Sequence, residues 1–299
     1  MSPLSANQRG IVALIGGMAA YTVNDAMVKA IAHKYPIGEV IFVRGLMTAI
    51  LIGGMVAAFG HARNLRLAIS KPVITRSAFD GLSTACFITA LVHMKLADLA
   101  AMLQVSPLIL TAFSVLFHRE IVGWRRWTAI LVGFAGAMFV VKPTPAAFDV
   151  WALVALAAAA SSALREIQTR RIDRAVPTIV IAFMGSIGIL IVGALFALTE
   201  TWRAIPLGDL AVLAGASVFV GIATFLVALA FRGVDLSVVA PFRYSYLLTS
   251  ALAGYLLFSE LPDGWSAIGA VLIVGSGLYA LHREALRRRA ITAAAAAAL

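Results

Sequence analysis

The feature that most restricts this chain is a recurring apolar run of about twenty residues, the length an α-helix needs to cross the hydrocarbon core of a bilayer. Such runs lie at 11–31, 37–59, 72–93, 98–117, 125–141, 149–168, 177–199, 209–230, 235–258 and 265–281. The breaks carry Pro, Gly or charge, as in His33-Lys34-Tyr35-Pro36, Lys142-Pro143-Thr144-Pro145 and Leu261-Pro262-Asp263-Gly264. Several gaps are only a few residues long, so neighbouring helices form antiparallel hairpins and no loop can hold a soluble domain. Composition agrees: 62% of residues are hydrophobic and 13% charged, where soluble domains carry about 25% charged residues. An ordinary soluble protein, a disordered chain and a nucleic-acid-binding domain are thereby excluded. The single cysteine, Cys86, leaves no internal disulfide framework and no cysteine-rich metal site. The first run carries Asn24, Asp25 and Lys29 and exceeds the roughly 7–15 residues of a signal-peptide core. It reads as the first membrane helix. The expected class is an all-α membrane protein with ten transmembrane helices.

Lysine and arginine set the orientation of such a bundle. With residues near the ends of these spans counted on the adjoining side, seventeen of the 24 fall on the side of the N-terminus and five on the other, while Arg44 and Arg243 lie deeper inside spans. The bias predicts cytoplasmic termini, and it accounts for most of the net charge of +10 without a basic face. The Ala-rich tail after Arg289 is low in complexity and is expected to fray.

The chain also repeats itself. Asp25-x3-Lys29-x6-Pro36 recurs as Glu166-x3-Arg170-x6-Pro177, 141 residues later. Gly81-x2-Thr84 recurs as Gly221-x2-Thr224, and Leu116-Phe117-His118-Arg119-Glu120 resembles Leu256-Leu257-Phe258-Ser259-Glu260, both 140 residues on. One offset over three separated places spans five helices. Five is odd, so the second copy is inverted relative to the first. Inverted halves around one central site are a transporter architecture. The expected organisation is a cytoplasmic N-terminus at 1–10, a first repeat at 11–141, an inverted second repeat at 149–281, and a basic then Ala-rich cytoplasmic tail at 282–299.

Charges at membrane depth cost roughly 2.5–3.5 kcal/mol each on insertion scales, so each needs a partner or a watery cavity. Asp25 on helix 1 and Arg44 on helix 2 lie at nearly equal depth, which predicts contact. Lys29 is one turn from Asp25, and Glu39 is near the outer end of helix 2. The four form either a substrate or proton site at the outer gate or a static network locking two helices. Arg243 lies near the middle of helix 9, two residues after Pro241 and flanked by Phe242, Tyr244 and Tyr246. It either faces substrate, by stacking or by gripping a carboxylate, or balances Glu166 on helix 6. Gln104, Ser106 and Pro107 place polar groups and a kink at the middle of helix 4, the counterpart of helix 9. They read either as part of the central site or as packing devices. Glu120 and Glu260 close helices 4 and 9, where each is expected to cap or steer the helix that follows. Paired glycines such as Gly16-Gly17 and Gly133/Gly136 read as helix-packing positions. No histidine pair has metal-ligand spacing, and no phosphate loop or HExxH motif occurs.

These residues resemble a known family. Asn24-Asp25 with Lys29, Glu39 and Arg44, Trp127 with Gly133 and Lys142-Pro143, and Ala240-Pro241-Phe242-Arg243-Tyr244 continuing to Glu260-Leu261-Pro262-Asp263 are similar to EamA-domain transporters of the drug/metabolite transporter superfamily. The pattern is most like the branch containing S-adenosylmethionine uptake proteins; riboflavin importers and amino-acid exporters share the fold. One departure stands out. Pro107 lies 13 residues before Glu120, but Leu247 occupies the matching position before Glu260. The resemblance implies a secondary transporter of a bacterial-type inner membrane, working by alternating access on a small metabolite such as S-adenosylmethionine or riboflavin. Export of amino acids or related compounds is the alternative; an intramembrane enzyme or a non-transporting scaffold is remote. Substrate binding is expected at Asn24, Asp25, Arg44, Gln104, Ser106, Arg243, Tyr244 and Tyr246. Gating or structural roles are expected at Lys29, Glu39, Pro107, Glu120, Glu166, Pro241 and Glu260. The expected partners are a small-molecule substrate and the bilayer, with no cofactor, metal or nucleic acid. Proton or membrane-potential coupling, and a monomer or homodimer, are compatible with this reading.

Overall fold

A computed structural model of the chain describes residues 6–118, 124–141, 149–169, 171–173, 175–230 and 239–297. Its helices are α1 (Ala6–Ala32), α2 (Ile37–Ala58), α3 (Lys71–His93), α4 (Leu96–Leu103), α5 (Ser106–His118), α6 (Trp124–Val141), α7 (Val150–Thr169), α8 (Thr178–Ala197), α9 (Leu207–Ala230), α10 (Ser245–Phe258) and α11 (Gly264–Ala297). Short 3-10 helices cover His61–Ala68 and Ala240–Tyr244. Among the described residues five helices, α1, α2, α7, α8 and α9, are long and apolar enough to cross a membrane. α3 is as long but carries Lys71, Arg76 and Asp80.

Proline sets several starts. Pro36 (φ −54°, ψ 143°) and Pro177 (φ −61°, ψ 141°) are extended residues immediately before α2 and α8. Their carbonyls accept the first helical bonds, from Val40 and Ile181. Pro72 sits in the first turn of α3, where its missing N–H leaves no bond unmade.

The run at 98–117 is two helices rather than one. α4 tightens at its end, with Gln104 N bonded to Ala101 O and Val105 N to Met102 O, both at 3.1 Å. Pro107 cannot donate to the Leu103 carbonyl, and α5 starts afresh at Ser106. The run at 235–258 shows the same interruption in its described part: a 3-10 turn at Ala240–Tyr244 passes into α10 at Ser245. The junctions at Gln104 and Tyr244 are 140 residues apart, the offset of the sequence repeat. The tail expected to fray after Arg289 is instead helical to Ala297, as the last part of α11. Alanine, leucine and arginine are strong helix formers, and the segment simply extends a helix already nucleated.

The main packing pairs follow one rule. α1 packs on α9 as α7 packs on α3; α1 meets α10 as α7 meets α4 and α5; α2 packs on α9 as α8 packs on α3. α2 with α8, α4 with α10, and α6 with α11 complete the set. Exchanging residues 6–141 with their counterparts about 140 further on turns this list into itself. Small residues permit the close crossings. Ala152, Ala155, Ala159 and Ala163 form a buried stripe on α7, and Ser83 of α3 donates to the Ala158 carbonyl at 3.0 Å. Gly136 of α6 and Gly269 of α11 lie against each other's carbonyl oxygens, so a side chain at either would strike backbone. A large apolar cluster including Val28, Ile41, Leu91, Leu99 and Met102 runs through the bundle, with buried members also on α7, α9 and α11.

Candidate functional site

In the second half of α1, Asn24 and Asp25 are 3% and 4% exposed, and Arg44 on α2 is 8% exposed. The expected direct contact between Asp25 and Arg44 is not made. Arg44 Nη1 donates to Asn24 Oδ1 at 3.2 Å, and Asn24 Nδ2 donates to Asp25 Oδ1 at 2.8 Å. A carboxamide carries an acceptor and a donor on one group, so it can stand between a cation and an anion and satisfy both. The second Asp25 oxygen accepts from Tyr246 Oη on α10 at 2.6 Å. This short, charge-assisted bond joins residues 221 positions apart and ties the two halves together. Thr22 extends the contact, with its hydroxyl 2.7 Å from that of Thr249 and 3.3 Å from that of Ser250. The Arg44 carbonyl accepts from Thr48 and from Ser217 of α9. Arg44 Nε is buried without a partner, and an orphaned buried donor costs about 1–3 kcal/mol.

The other two charges expected in this network are elsewhere. Lys29 Nζ lies 2.6 Å from Glu260 Oε1 and 2.7 Å from the Met94 carbonyl, and above the Phe258 ring. Glu39 accepts from the Arg203 backbone N–H at 3.0 Å, while Glu200 caps the start of α2 through Gly38 N. The four-charge network therefore does not form. Lys29 points along α1 to its end, and Glu39 sits in the first turn of α2, so both reach the connecting loops rather than the centre. At this same end Tyr35 donates to Asp209 at 2.6 Å, beside Lys34. That bond holds the Tyr35 hydroxyl up at about 12.

Glu260 caps a helix other than the one expected. The chain leaves α10 through Ser259, at φ 53°, with Glu260 N bonded back to Gly254 O and Ser259 N to Tyr255 O. This left-handed turn folds Glu260 toward the first half of the chain. There Oε2 accepts from Leu96 N at the start of α4 at 3.0 Å. The following helix, α11, is capped by Asp263 through Ser266 N. Glu120, expected to do the corresponding work in the first half, lies outside the described residues.

Of the remaining residues, Gln104 and Ser106 are buried at the α4–α5 junction, beside Pro107. Arg243 follows Pro241 in the 3-10 turn and lies 3.5 Å from Glu166, both partly exposed. Tyr244 does not join Tyr246. It packs on α11 against Gly277, where any side chain would collide with its hydroxyl, and that hydroxyl is buried without a partner.

One buried group escaped the reading of the sequence. Asp80 on α3 accepts from Arg76 Nη1 at 3.0 Å and from Arg165 Nη1 of α7 at 2.7 Å. Arg76 also donates to the Ile181 carbonyl, and Arg165 to Ser162. Gly185 of α8 lies so close that a Cβ there would meet Asp80 and Arg76. Both arginines lie near the ends of apolar runs, where the charge bias places them on the side of the N-terminus. The overlooked signal was an aspartate inside an apolar span, four residues after an arginine. Among the described residues no three His, Cys, Asp or Glu side chains gather as a metal site.

These features have relatives. The chain is 28% identical over 279 residues to an S-adenosylmethionine uptake transporter of Rickettsia bellii, covering 92% of this chain and 94% of that one. It is 27% identical over 271 residues to a pseudopaline exporter of Pseudomonas aeruginosa, covering 89% and 93%. It is 32% identical to a riboflavin transporter of Vibrio cholerae over 195 residues, 63% of each chain. One solved crystal structure shares the fold, with a TM-score of 0.61 at 22% identity over 91% of this chain and 98% of the other. The EamA-like transporter family model matches twice, at residues 8–142 and 149–281. This multi-pass, all-helical membrane chain belongs to the EamA-like transporter family.

Proposed function

We propose that the chain is a secondary transporter working by alternating access between two inverted five-helix halves, 11–141 and 149–281. Ten spans are reached by counting α4–α5 as one and the segment ending in α10 as one. The exchange symmetry of the packing pairs supports this count, since odd-numbered halves related in this way run in opposite senses. The substrate is a small cofactor-like metabolite taken up across a bacterial inner membrane, with S-adenosylmethionine ahead of riboflavin because the S-adenosylmethionine relatives align over nearly the whole chain. The observation that carries the reading is the buried chain Tyr246–Asp25–Asn24–Arg44, which joins the two halves beside the breaks in the fourth and ninth spans. Polar groups there gain nothing for a static scaffold and suit a site that opens alternately to either side. On this reading Asn24, Asp25, Arg44, Gln104, Ser106, Arg243 and Tyr246 face the substrate path, and Tyr244 supports it by packing on α11. Lys29, Glu260, Glu39 and Glu200 tie the halves together at the periplasmic end.

Uptake of labelled S-adenosylmethionine and riboflavin into vesicles, with thermal stabilisation of the purified chain by each, tests the reading. Saturable uptake of either compound, lost in Asp25→Asn or uncoupled from pH by it, is the expected result. Stabilisation by neither, with efflux of amino-acid-like compounds instead, would move the protein to the export reading that the pseudopaline exporter relative favours.

A further inference from the structure

The central charges do not balance. Along the column formed by α1, α2, α3, α7 and the 3-10 turn stand four guanidinium groups, Arg44, Arg76, Arg165 and Arg243, and three carboxylates, Asp25, Asp80 and Glu166. Arg165 and Arg76 share Asp80, and Arg243 meets Glu166. Arg44 has a carboxamide for its partner and no carboxylate in contact, although Asp25 and Asp80 lie within electrostatic reach. Positive charge is in excess whether or not Asp25 holds a proton, at a depth where unpaired charge is costly.

The donors are unbalanced in the same place. Arginine presents five N–H donors, and its Nε side forms one of the edges that bind a carboxylate with two parallel bonds. The hydrogen bonds of Arg44 and Arg76 to other groups run through Nη1. The Nε atoms of both are buried and unpartnered. Arg44, the cation without a carboxylate in contact, thus also carries a spare buried donor, as does Arg76. Gly185 of α8 admits the Arg76–Asp80 pair, which a side chain there would strike.

We propose that Arg44, supported by the Arg76–Asp80–Arg165 cluster, is the subsite for a carboxylate of the transported molecule. The substrate is then an amino-acid-bearing metabolite, in which a planar or aromatic part is joined to an α-carboxylate. This rests on the transporter reading above and narrows it: a substrate without a carboxylate leaves the surplus charge unmet. Arg76 and Arg165 act as positioning residues, since Asp80 already occupies them, while Arg44 makes the contact.

The test uses the full chain in lipid nanodiscs, with S-adenosylmethionine, decarboxylated S-adenosylmethionine and riboflavin as probes. Expected is binding of S-adenosylmethionine at least about tenfold tighter than of its decarboxylated analogue, and loss of that preference in Arg44→Gln. Equal binding of the two, or binding of riboflavin alone, overturns the subsite. If none of the three binds, the metabolite reading fails, and the subsite is judged on the ligand-free protein. There Arg44→Gln, which keeps a donor for Asn24 while removing surplus charge, should melt at or above the parent temperature, and Asp80→Asn should melt below it. A loss in Arg44→Gln as large as that in Asp80→Asn would make Arg44 a structural ion partner and refute the proposal.

Discussion

Asn24 is the residue on which the central network turns. Its amide satisfies Arg44 on one side and Asp25 on the other, so removing it leaves a buried cation and a buried carboxylate oxygen each short of a bond. Asn24→Ala should lower stability by about 2–3 kcal/mol, measured by thermal or denaturant unfolding in detergent. A double-mutant cycle between Asp25 and Arg44 should show most of its coupling only while Asn24 is present. Coupling that survives Asn24→Ala undiminished would mean the two charges interact without the bridge. The depth of these groups was legible from the sequence, because a helix rises about 1.5 Å per residue. Which neighbour each would meet was not, because depth leaves the rotation of each helix undetermined. The same limit hid the Asp80 cluster: Arg76 and Arg165 fall near helix ends by counting, yet their side chains turn inward onto one aspartate.

At the scale of elements, the turn after α10 does the most specific work. Ser259 adopts a left-handed conformation that favours glycine, and the turn delivers Glu260 to Lys29 and to the start of α4. Ser259→Gly should be neutral or stabilise by up to about 1 kcal/mol, whereas Ser259→Val should destabilise by about 1–2 kcal/mol. Melting curves of the two variants decide it, and equal effects would place the strain elsewhere. Glu260→Gln breaks an ion pair whose lysine is 4% exposed, and should cost about 3 kcal/mol because a buried cation is left unpaired. The double variant Lys29→Met with Glu260→Gln should recover more than half of that. Failure to recover would show that the cap on Leu96, not the ion pair, is the main loss. The interruptions of the runs at 98–117 and 235–258 were foreshadowed by Pro107 and Pro241, but the two prolines occupy unlike positions. Pro107 follows the junction at Gln104, and Pro241 precedes the one at Tyr244. What the halves share is the break, and the sequence marks it differently in each.

Across the whole molecule, the structure changes the charge count that fixes orientation. Arg76, Arg165 and Lys29 lie near helix ends and enter the seventeen-to-five bias, yet each is engaged inside the bundle, with Asp80 or Glu260. Removing them leaves fifteen cations on the side of the N-terminus and four on the other. The bias survives, and it no longer depends on side chains that the membrane-spanning helices have already neutralised. It is also spread along the chain: Arg63 and Arg66 follow α2, Arg171 follows α7, and Arg283 to Arg289 lie in α11. Lysine and arginine near the ends of spans resist translocation, so under the proposed ten-crossing arrangement this distribution predicts cytoplasmic termini. The long α11 makes the test demanding, because it places Arg287, Arg288 and Arg289 on a continuous helix with residues from 264 on. A reporter that is active only in the cytoplasm, fused after Arg289, should be active, and one active only in the periplasm should be silent. Charge-neutral substitution of Arg287, Arg288 and Arg289 together should leave that result unchanged, since the earlier loops carry most of the bias. Periplasmic activity in the parent fusion would overturn this orientation, and if the N-terminus proved cytoplasmic it would mean an odd number of crossings and the loss of two halves related by inversion.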